Sequence, residues 1–435
     1  MKESIKNINF RLYFSLLFLG LCPAIYNTLR IFFLGQMPGD WSYSIAGQLA
    51  WVNLIYEVIN EAVILPLFFF MGKVAANRDE FTNRIRSGLI VTFAVYAVLS
   101  AAITITAGDL LEFMAADKTI LDESAVYIRI ESIANIFAIL SSFVMTALIT
   151  LNRTKYIYLL TVLRLGLNIL FDTFFISELP VSLSLGVNGI GYSNIAVNIL
   201  VLLLSLKFLS DENINVFSKR RMSFAWMKDF LRIGGISGIE SFVRNMAYMF
   251  MIVRMVNVVN EQGAYWACNS FIWGWLLLPV LQLGELIKQE IATDNNNLKR
   301  NTKGYFGITF CICIIWVATI PLWKPFMDNV LGYGETDKLL SLVLILLGFY
   351  VLFAFQNIFD ATFYALGKTE YMLLESVVTN TVYYGGAFLL YCAGLWVPTL
   401  NGIALLFGIG IAFDSIVSFA VYLYMIKHMR NELHA

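Results

Sequence analysis

The chain has 435 residues, of which 59% are hydrophobic and only 14% are charged, and its mean hydropathy is +0.73. A soluble protein cannot bury that much apolar surface, so the composition predicts a membrane protein whose main partner is the lipid bilayer. The 30 basic and 30 acidic residues give a net charge of zero, which offers no indication of nucleic-acid binding.

Histidine and cysteine usage argues against an enzyme. The chain has two histidines, both near the C-terminus, so neither a histidine metal centre nor a catalytic triad is expected. The five cysteines lie in apolar stretches without zinc-like spacing, which predicts packing residues rather than a disulfide framework. We expect no catalytic residue, no cofactor and no structural metal.

Twelve apolar stretches are each long enough to cross a membrane, which takes about 20 mostly apolar residues. These predicted spans, numbered one to twelve in chain order, are 11–35, 46–72, 87–108, 124–151, 156–178, 188–209, 228–257, 264–291, 304–323, 338–366, 371–394 and 401–426. The predicted fold class is therefore an all-α membrane protein of twelve transmembrane helices.

The distribution of lysine and arginine orients these spans, because cytoplasmic loops carry an excess of both. With the N-terminus inside, the predicted inner segments hold pairs such as Arg84 and Arg86. The predicted outer loops hold only Lys118, Lys324 and Lys338. We expect a multi-pass protein of the cell membrane with both termini in the cytoplasm.

A charged linker at 210–227 joins span six to span seven. It divides the chain into an N-terminal lobe at 1–209 and a C-terminal lobe at 228–435, each with six predicted helices. Because six is an even number, the two lobes run in the same direction through the membrane. Parallel repeats of this kind suit alternating access, in which two bundles rock around a site between them.

Two short motifs recur in the two lobes. The sequence 151–156 after span four matches 366–371 after span ten, and Asn188-Gly189-Ile190 at the start of span six matches Asn401-Gly402-Ile403 at the start of span twelve. Both matches have nearly the same offset and lie at equivalent helix ends. The recurrence therefore predicts an internal repeat.

Ionisable residues within the spans are the candidates for function, since each costs about 2.5–3.5 kcal/mol to insert. The polar residues of the first lobe are Arg30 in span one, Glu57 and Glu61 in span two, Arg164, Asn168 and Asp172 in span five, and Asn194 in span six. Spacings of four place Glu57 with Glu61 on one face, and likewise the three residues of span five. By depth, Arg30 and Asp172 are predicted to meet in the outer half of the bilayer. Clustered carboxylates suit proton binding, and ion pairing that only fixes helix packing is the alternative.

The second lobe has its own set of intramembrane charges. Glu240 and Arg244 in span seven are four residues apart and able to pair, and Asp414 lies in span twelve. The remaining charges lie nearer the span ends, where their depth agrees equally well with simple contact to solvent and with a functional role. They are Glu285, Asp360, Arg129 and Glu131. Tyr248 and Trp273 belong to a stretch rich in methionine and aromatic residues that is typical of adaptable binding surfaces, or of ordinary packing.

These features resemble the multidrug and toxic compound extrusion (MATE) family of the MOP flippase superfamily. Residues 26–35 are similar to the family's first-span signature, and Asn168 through Asp172 is similar to its fifth-span pattern. Ile233-Gly234-Gly235-Ile236 resembles the opening of its seventh span, and residues 365–369 resemble the loop after its tenth. The chain looks like a divergent member, closer to the DinF-like than to the NorM-like branch.

The resemblance implies a V-shaped fold of two six-helix lobes, a monomer, and export of small amphiphilic compounds driven by protons or sodium. It implies a cation site, possible for sodium, at Asp172, Asn168 and Asn194. Arg30 stands where the family has an acid, and Glu57 and Glu61 are atypical acids that are predicted to take over coupling. The predicted substrate cavity contains residues of both lobes: Arg30, Arg164, Glu240, Arg244, Asp414, Tyr248 and Trp273.

The three arginines leave a second interpretation open. An anionic or zwitterionic substrate, or a lipid-linked oligosaccharide flipped by a member of the same superfamily, would use Arg30, Arg164 and Arg244 to hold negative charge. A groove wide enough for a lipid between spans one and eight would favour the flippase. An integral membrane enzyme is disfavoured, because no metal motif or nucleophile motif occurs.

Overall fold

The structure is a computed structural model that describes residues 2–37, 41–74, 76–151, 153–218 and 221–432. Its regular secondary structure within these ranges is helical throughout, which confirms the predicted all-α class. Asn152 of the repeated motif and residues 219–220 of the linker lie outside the described residues.

Each predicted span corresponds to a helix or to a helix with a π-helical interruption, and the span numbers are kept for these helices. After a short helix at Lys2–Lys6, spans one to six are Phe10–Gln36, Trp41–Gly72, Arg78–Phe113, Leu121–Thr150, Thr154–Phe175 and Asn188–Asp211. Span seven comprises Met227–Tyr248, the π segment Met249–Val253, and Arg254–Val258. Span eight comprises Gln262–Phe271, the π segment Ile272–Leu276, and Leu278–Thr293. The last four are span nine, Asn296–Phe326 with the π segment Met327–Leu331; span ten, Thr336–Ala365; span eleven, Thr369–Val378, the π segment Thr379–Tyr384, and Gly385–Cys392; and span twelve, Leu400–Glu432.

The hydropathy of the helices agrees with a multi-pass membrane protein. Among the described residues, 8 helices are individually long and apolar enough to cross a membrane, and span eight makes up to 9 if its two bent parts are counted together. Span eight bends by 51° where Leu278 and Pro279 begin its second part. Proline lacks the N–H that would continue the helical ladder, which accounts for a break at this point.

The two repeated motifs occupy equivalent positions in the structure. After span four, the N–H of Arg153 donates to the carbonyl of Leu148 at 3.0 Å, and after span ten the N–H of Lys368 donates to that of Phe363 at 2.9 Å. Both bonds close the same kind of helix-ending turn, in which a donor beyond the helix reaches back to an otherwise unsatisfied carbonyl. Gly367 has a φ of +67°, a left-handed conformation that glycine adopts without strain.

The helices pack into two compact units. The middle unit is Phe32–Asn245, and the terminal unit combines Met1–Ile31 with Met246–Ala435. Leu67, Phe81, Phe143 and Leu148 are fully buried in the core of the middle unit, where they join spans two, three and four. The division into lobes around residues 210–227 follows the sequence repeat rather than these contacts, and it stays a prediction.

The described part of the linker is held against span three within the middle unit. Arg86 donates from Nε to the carbonyl of Val216 at 3.1 Å. Asn83 and Ser223 exchange two hydrogen bonds, of 3.1 and 2.8 Å, and Trp226 donates its indole N–H to Ser87 at 3.0 Å. Because Arg86 and Asn83 of span three satisfy backbone groups of this segment, it forms part of the folded unit.

Candidate functional site

One arginine and three carboxylates meet in the middle unit, where span two packs against span seven. Nη2 of Arg244 lies 2.6 Å from Oε1 of Glu61 and 3.5 Å from Oε1 of Glu57. Its Nη1 lies 3.7 Å from Oε1 of Glu240, one turn earlier in the same helix. Glu57 and Glu61 were predicted for a coupling site, and Glu240 and Arg244 for a substrate cavity. The structure assembles all four into one group, called here the Arg244 cluster.

The Arg244 cluster carries more negative than positive charge when its carboxylates are ionised. One guanidinium faces three carboxylates, and Glu57 is the most exposed of the three, with 45% of its side chain accessible. Carboxylates that share one cation attract a second positive charge, either a proton or a cationic ligand. The cluster is therefore better suited to a cation than to an anion.

Two glycines of span seven allow the cluster to form. A Cβ atom placed on Gly234 would lie 2.1 Å from the carbonyl oxygen of Ala62, and one on Gly238 would lie 2.9 Å from the Cβ of Ala62. Small residues spaced by four let two membrane helices approach closely. Ala62 directly follows Glu61, so this contact sets the distance between Glu61 and Arg244.

The predicted cation ligands of spans five and six lie within the middle unit but have different surroundings. Asp172 is fully buried, and Asn168, one turn before it, is 4% exposed. Asn194 donates from Nδ2 to Oε1 of Glu131 at 2.7 Å, and Glu131 itself is only 3% exposed. A solvent-exposed role was predicted for Glu131 as an equal alternative to a functional one. That alternative was wrong because the side chain is buried.

The two remaining arginines of the first lobe occupy different units. Arg164 donates to the hydroxyl of Ser141 at 3.3 Å within the middle unit. Arg30 belongs to the terminal unit, where its guanidinium carbon lies 5.6 Å from the ring centre of Tyr26. This distance is typical of a cation–π contact. The predicted meeting of Arg30 with Asp172 stays a prediction.

The predicted aromatic residues join a polar aromatic cluster in the terminal unit. The hydroxyls of Tyr248 and Tyr265 lie 3.2 Å apart, and Asn269 donates to Tyr248 at 3.2 Å. Trp273 is 43% exposed and meets the ring of Tyr350 edge to face at 6.4 Å. Tyr265 and Tyr350 are buried, so the part of this cluster that is open to contact is the flat ring of Trp273.

Asp414 lies in the terminal unit among polar residues rather than among the aromatic side chains. Its carboxylate accepts hydrogen bonds from Gln356 at 2.6 Å and from Thr379 at 2.6 Å. Gln356 also donates to Glu375 at 2.8 Å. Glu375 was not among the predicted site residues, although a carboxylate inside the predicted span 371–394 is a sufficient signal to include it.

An apolar groove of about 710 Å³ runs along spans one, eight and nine of the terminal unit. Its wall includes Tyr13, Trp275, Pro279 and Trp316, and no charged residue is among the described residues that line it. Trp275 donates to Thr28 at 2.8 Å and joins span eight to span one beside the groove. A site for the pyrophosphate of a lipid-linked oligosaccharide needs cationic side chains, and this groove provides none.

Comparison with known proteins identifies the fold. Residues 74–174 match the MatE family model. An inward-facing conformation of a multidrug resistance MATE family transporter of the MOP superfamily matches with a TM-score of 0.77 at 19% identity, over 94% of this chain and 94% of that chain. This chain has the MATE fold. The predicted MATE resemblance is confirmed, together with the twelve-helix architecture.

Two further solved structures give similar agreement. An outward-facing conformation of a multidrug resistance MATE family transporter has a TM-score of 0.70 at 17% identity, over 97% of this chain and 96% of that chain. A MOP superfamily transporter from Pyrococcus furiosus Vc1 has a TM-score of 0.69 at 18% identity, over 98% of both chains. Its binding pocket is described as having reverse polarity, which suggests a different function for that protein. No curated protein sequence matches the chain significantly.

Proposed function

We propose that this protein is a secondary active transporter that exports small amphiphilic organic cations by alternating access. The MATE fold supports this proposal, since the similar structures include inward-facing and outward-facing multidrug transporters. The transporter lies in the cell membrane as a monomer with both termini in the cytoplasm. A proton or sodium gradient drives it, and it catalyses no chemical reaction.

The Arg244 cluster is the observation that carries the substrate class. Its three carboxylates outnumber its one guanidinium, and Glu57 and Arg244 keep 45% and 37% of their side chains accessible. An organic cation compensates the excess negative charge, while a lipophilic anion would have to displace a carboxylate from Arg244. The exposed ring of Trp273 supports the amphiphilic part of the proposal, because flat rings bind apolar and cationic groups alike.

A second candidate is transport of an anionic or zwitterionic compound. Arg30 stands where the MATE first-span signature has an acid. The binding pocket of the similar Pyrococcus furiosus transporter is described as having reverse polarity, which supports a pocket of the opposite charge in this fold. The lipid-linked oligosaccharide flippase is not favoured. The groove along spans one, eight and nine would receive an apolar chain, but among the described residues it has no cationic lining for pyrophosphate.

Uptake into proteoliposomes tests the proposed substrate class. The purified protein is reconstituted, a pH or sodium gradient is imposed, and a fluorescent organic cation is compared with a fluorescent organic anion of similar size. We expect gradient-dependent movement of the cation. Movement of the anion alone would refute the proposal and would support the second candidate.

A variant of the Arg244 cluster sharpens this test. Glu57→Gln removes one charge from an accessible position, and a charge about 4 Å from a cationic ligand in water contributes about 1 kcal/mol, or about fivefold in Kd. We expect weaker binding of the cation by about that factor. Glu285→Gln is the matched control, because Glu285 is similarly exposed at 48% but pairs with Lys288 in span eight. An equal effect of both variants would show that the cluster does not bind the substrate.

A further inference from the structure

Three acidic residues from three different spans surround one buried glutamine in the terminal unit. Gln356 of span ten donates both amide hydrogens, to Oε1 of Glu375 at 2.8 Å and to Oδ2 of Asp414 at 2.6 Å. Its own Oε1 accepts a hydrogen bond from Ser415 at 2.8 Å. Both N–H groups of the amide are therefore used to hold two carboxylates close together.

Asp360 completes the group from span ten, one turn after Gln356. Ser418 of span twelve donates to its Oδ1 at 2.9 Å. Asp360 and Asp414 thus each accept a hydrogen bond from a hydroxyl group, Ser418 in one case and Thr379 in the other. A hydroxyl donor stabilises the ionised form of a carboxylate.

Glu375 differs from the other two acids. It is 5% exposed, and its Oε2 atom is buried with no hydrogen-bond partner among the described residues. Ser418, which donates to Asp360, is also close enough to act on Glu375, so the two carboxylates share this hydroxyl and Oε2 of Glu375 has no donor of its own. A buried carboxylate oxygen in this position is costly. A proton on Glu375 removes the charge and relieves this cost, so the free oxygen points to a missing positive partner.

Lys288, a charged neighbour of these three acids, does not supply the positive partner for Oε2 of Glu375. Lys288 of span eight acts on Asp360 electrostatically, but its ammonium donates to Glu285 at 2.7 Å and lies 4.8 Å from the ring centre of Tyr364. Within the described residues, no group of three or more His, Cys, Asp or Glu side chains could hold a metal ion. The ligand that fits a single free oxygen atom is a proton.

The group also adjoins an irregular helical segment. Thr379, which donates to Asp414, is the first residue of the π segment Thr379–Tyr384 in span eleven. Four residues later, Tyr383 donates to the carbonyl of Leu406 in span twelve at 2.6 Å. π-Helical turns are frequent at functional sites. A change of charge at Glu375 or Asp414 therefore acts directly on the contact between two spans.

We propose that Glu375, Asp360 and Asp414 form a proton-binding site in the terminal unit, with Glu375 as the group that takes up the proton. The site supplies the coupling step of the proposed transport cycle, and in that respect it rests on the proposed function. Gln356 is the positioning residue that keeps Glu375 beside Asp414. The predicted cation ligands Asp172 and Asn168 lie in the other unit.

Infrared difference spectroscopy tests the proton site without any transport substrate. The folded protein in lipid is titrated with acid, and the C=O stretch of protonated carboxylic acids is followed. We expect a band in the unmodified protein that is absent from Glu375→Gln and retained in Glu370→Gln. Glu370 is the matched control, because it lies in the same span and its side chain is 59% exposed. A spectrum of Glu375→Gln identical to that of the unmodified protein would overturn the assignment, and so would loss of the band on adding sodium at constant pH.

Transport measurements test the coupling role. Glu375→Gln mimics a permanently protonated side chain, so we expect substrate binding and substrate exchange without a gradient to persist while uptake driven by a pH gradient falls to the level of empty liposomes. Gradient-driven uptake equal to that of Glu370→Gln would overturn this role. If the unmodified protein moves no organic cation but shows the Glu375 band, the proposed function fails and the proton site stands.

Discussion

The close contact between spans two and seven leads to a prediction about two neighbouring glycines. Gly234 faces span two, and a Cβ at this position would lie 2.1 Å from the carbonyl oxygen of Ala62. Gly235 has no atom within 4 Å of an equivalent Cβ. Alanine substitution at these adjacent positions therefore introduces the same atom with opposite consequences.

The expected magnitude follows from the geometry. Carbon and oxygen atoms in contact need about 3.2 Å, so Gly234→Ala requires the two helices to separate by about 1 Å. Overpacking of this kind costs about 1–3 kcal/mol, while alanine gains about 0.5–1 kcal/mol over glycine within a helix. We expect Gly235→Ala to be neutral or slightly stabilising, and Gly234→Ala to lower the Tm by a few degrees relative to it.

The Tm of each variant is measured in one detergent, by recording the monodisperse fraction of the protein against temperature. A second substitution separates the two glycine contacts. Gly238 meets the Cβ of Ala62 at 2.9 Å, whereas Gly234 meets the backbone oxygen. Ala62→Gly should therefore rescue Gly238→Ala and should not rescue Gly234→Ala. Equal Tm values for Gly234→Ala and Gly235→Ala, or equal rescue of both variants, would refute the reasoning.

Three further predictions concern polar contacts between helices or chain segments. Arg244→Met leaves carboxylates without their cation and should lower the Tm, and Glu61→Gln should restore part of the loss, with a coupling energy of about 0.5–3 kcal/mol in a double-mutant cycle. Asn194→Ala removes the donor at 2.7 Å from buried Glu131 and should cost about 1–3 kcal/mol, measured as a decrease in Tm that Asn194→Gln does not reproduce in full. Glu290 accepts hydrogen bonds from the N–H of Asn9, from Asn301 and from Tyr305, so Glu290→Ala should free the N-terminal segment and accelerate hydrogen exchange at its amides; unchanged exchange would contradict this role.

The sequence predicted the helices well because membrane insertion depends on local composition. About 20 apolar residues make a span wherever they occur, and helix ends are marked by turn residues such as Gly367. The same reasoning gives the depth of a charged residue and the face it shares with its neighbours. The predicted spans therefore agree with the helices of the structure.

The contacts between helices were not predictable in the same way. Glu61 and Arg244 were assigned to different lobes, and nothing local to either residue indicates that span two is the partner of span seven. The glycines at 234 and 238 carried part of this information, but only the structure shows that they face Ala62. The position of Glu131 near the outer end of span four agreed with exposure to solvent. Its pairing with Asn194 depends on how spans four and six pack, which the sequence does not show.

The π-helical segments make the two units mechanically unequal. All four described segments lie in the terminal unit, at 249–253, 272–276, 327–331 and 379–384. A π turn contains one more residue than an α turn within its hydrogen-bonded ring. The helical residues on either side of it are therefore able to shift by one position along the helix while the backbone stays hydrogen-bonded. We expect such a unit to change its internal register at small cost, whereas the described spans of the middle unit contain no π segment. We therefore expect the terminal unit to deform more easily than the middle unit, and its helices are the place to look for internal rearrangement during the proposed transport cycle.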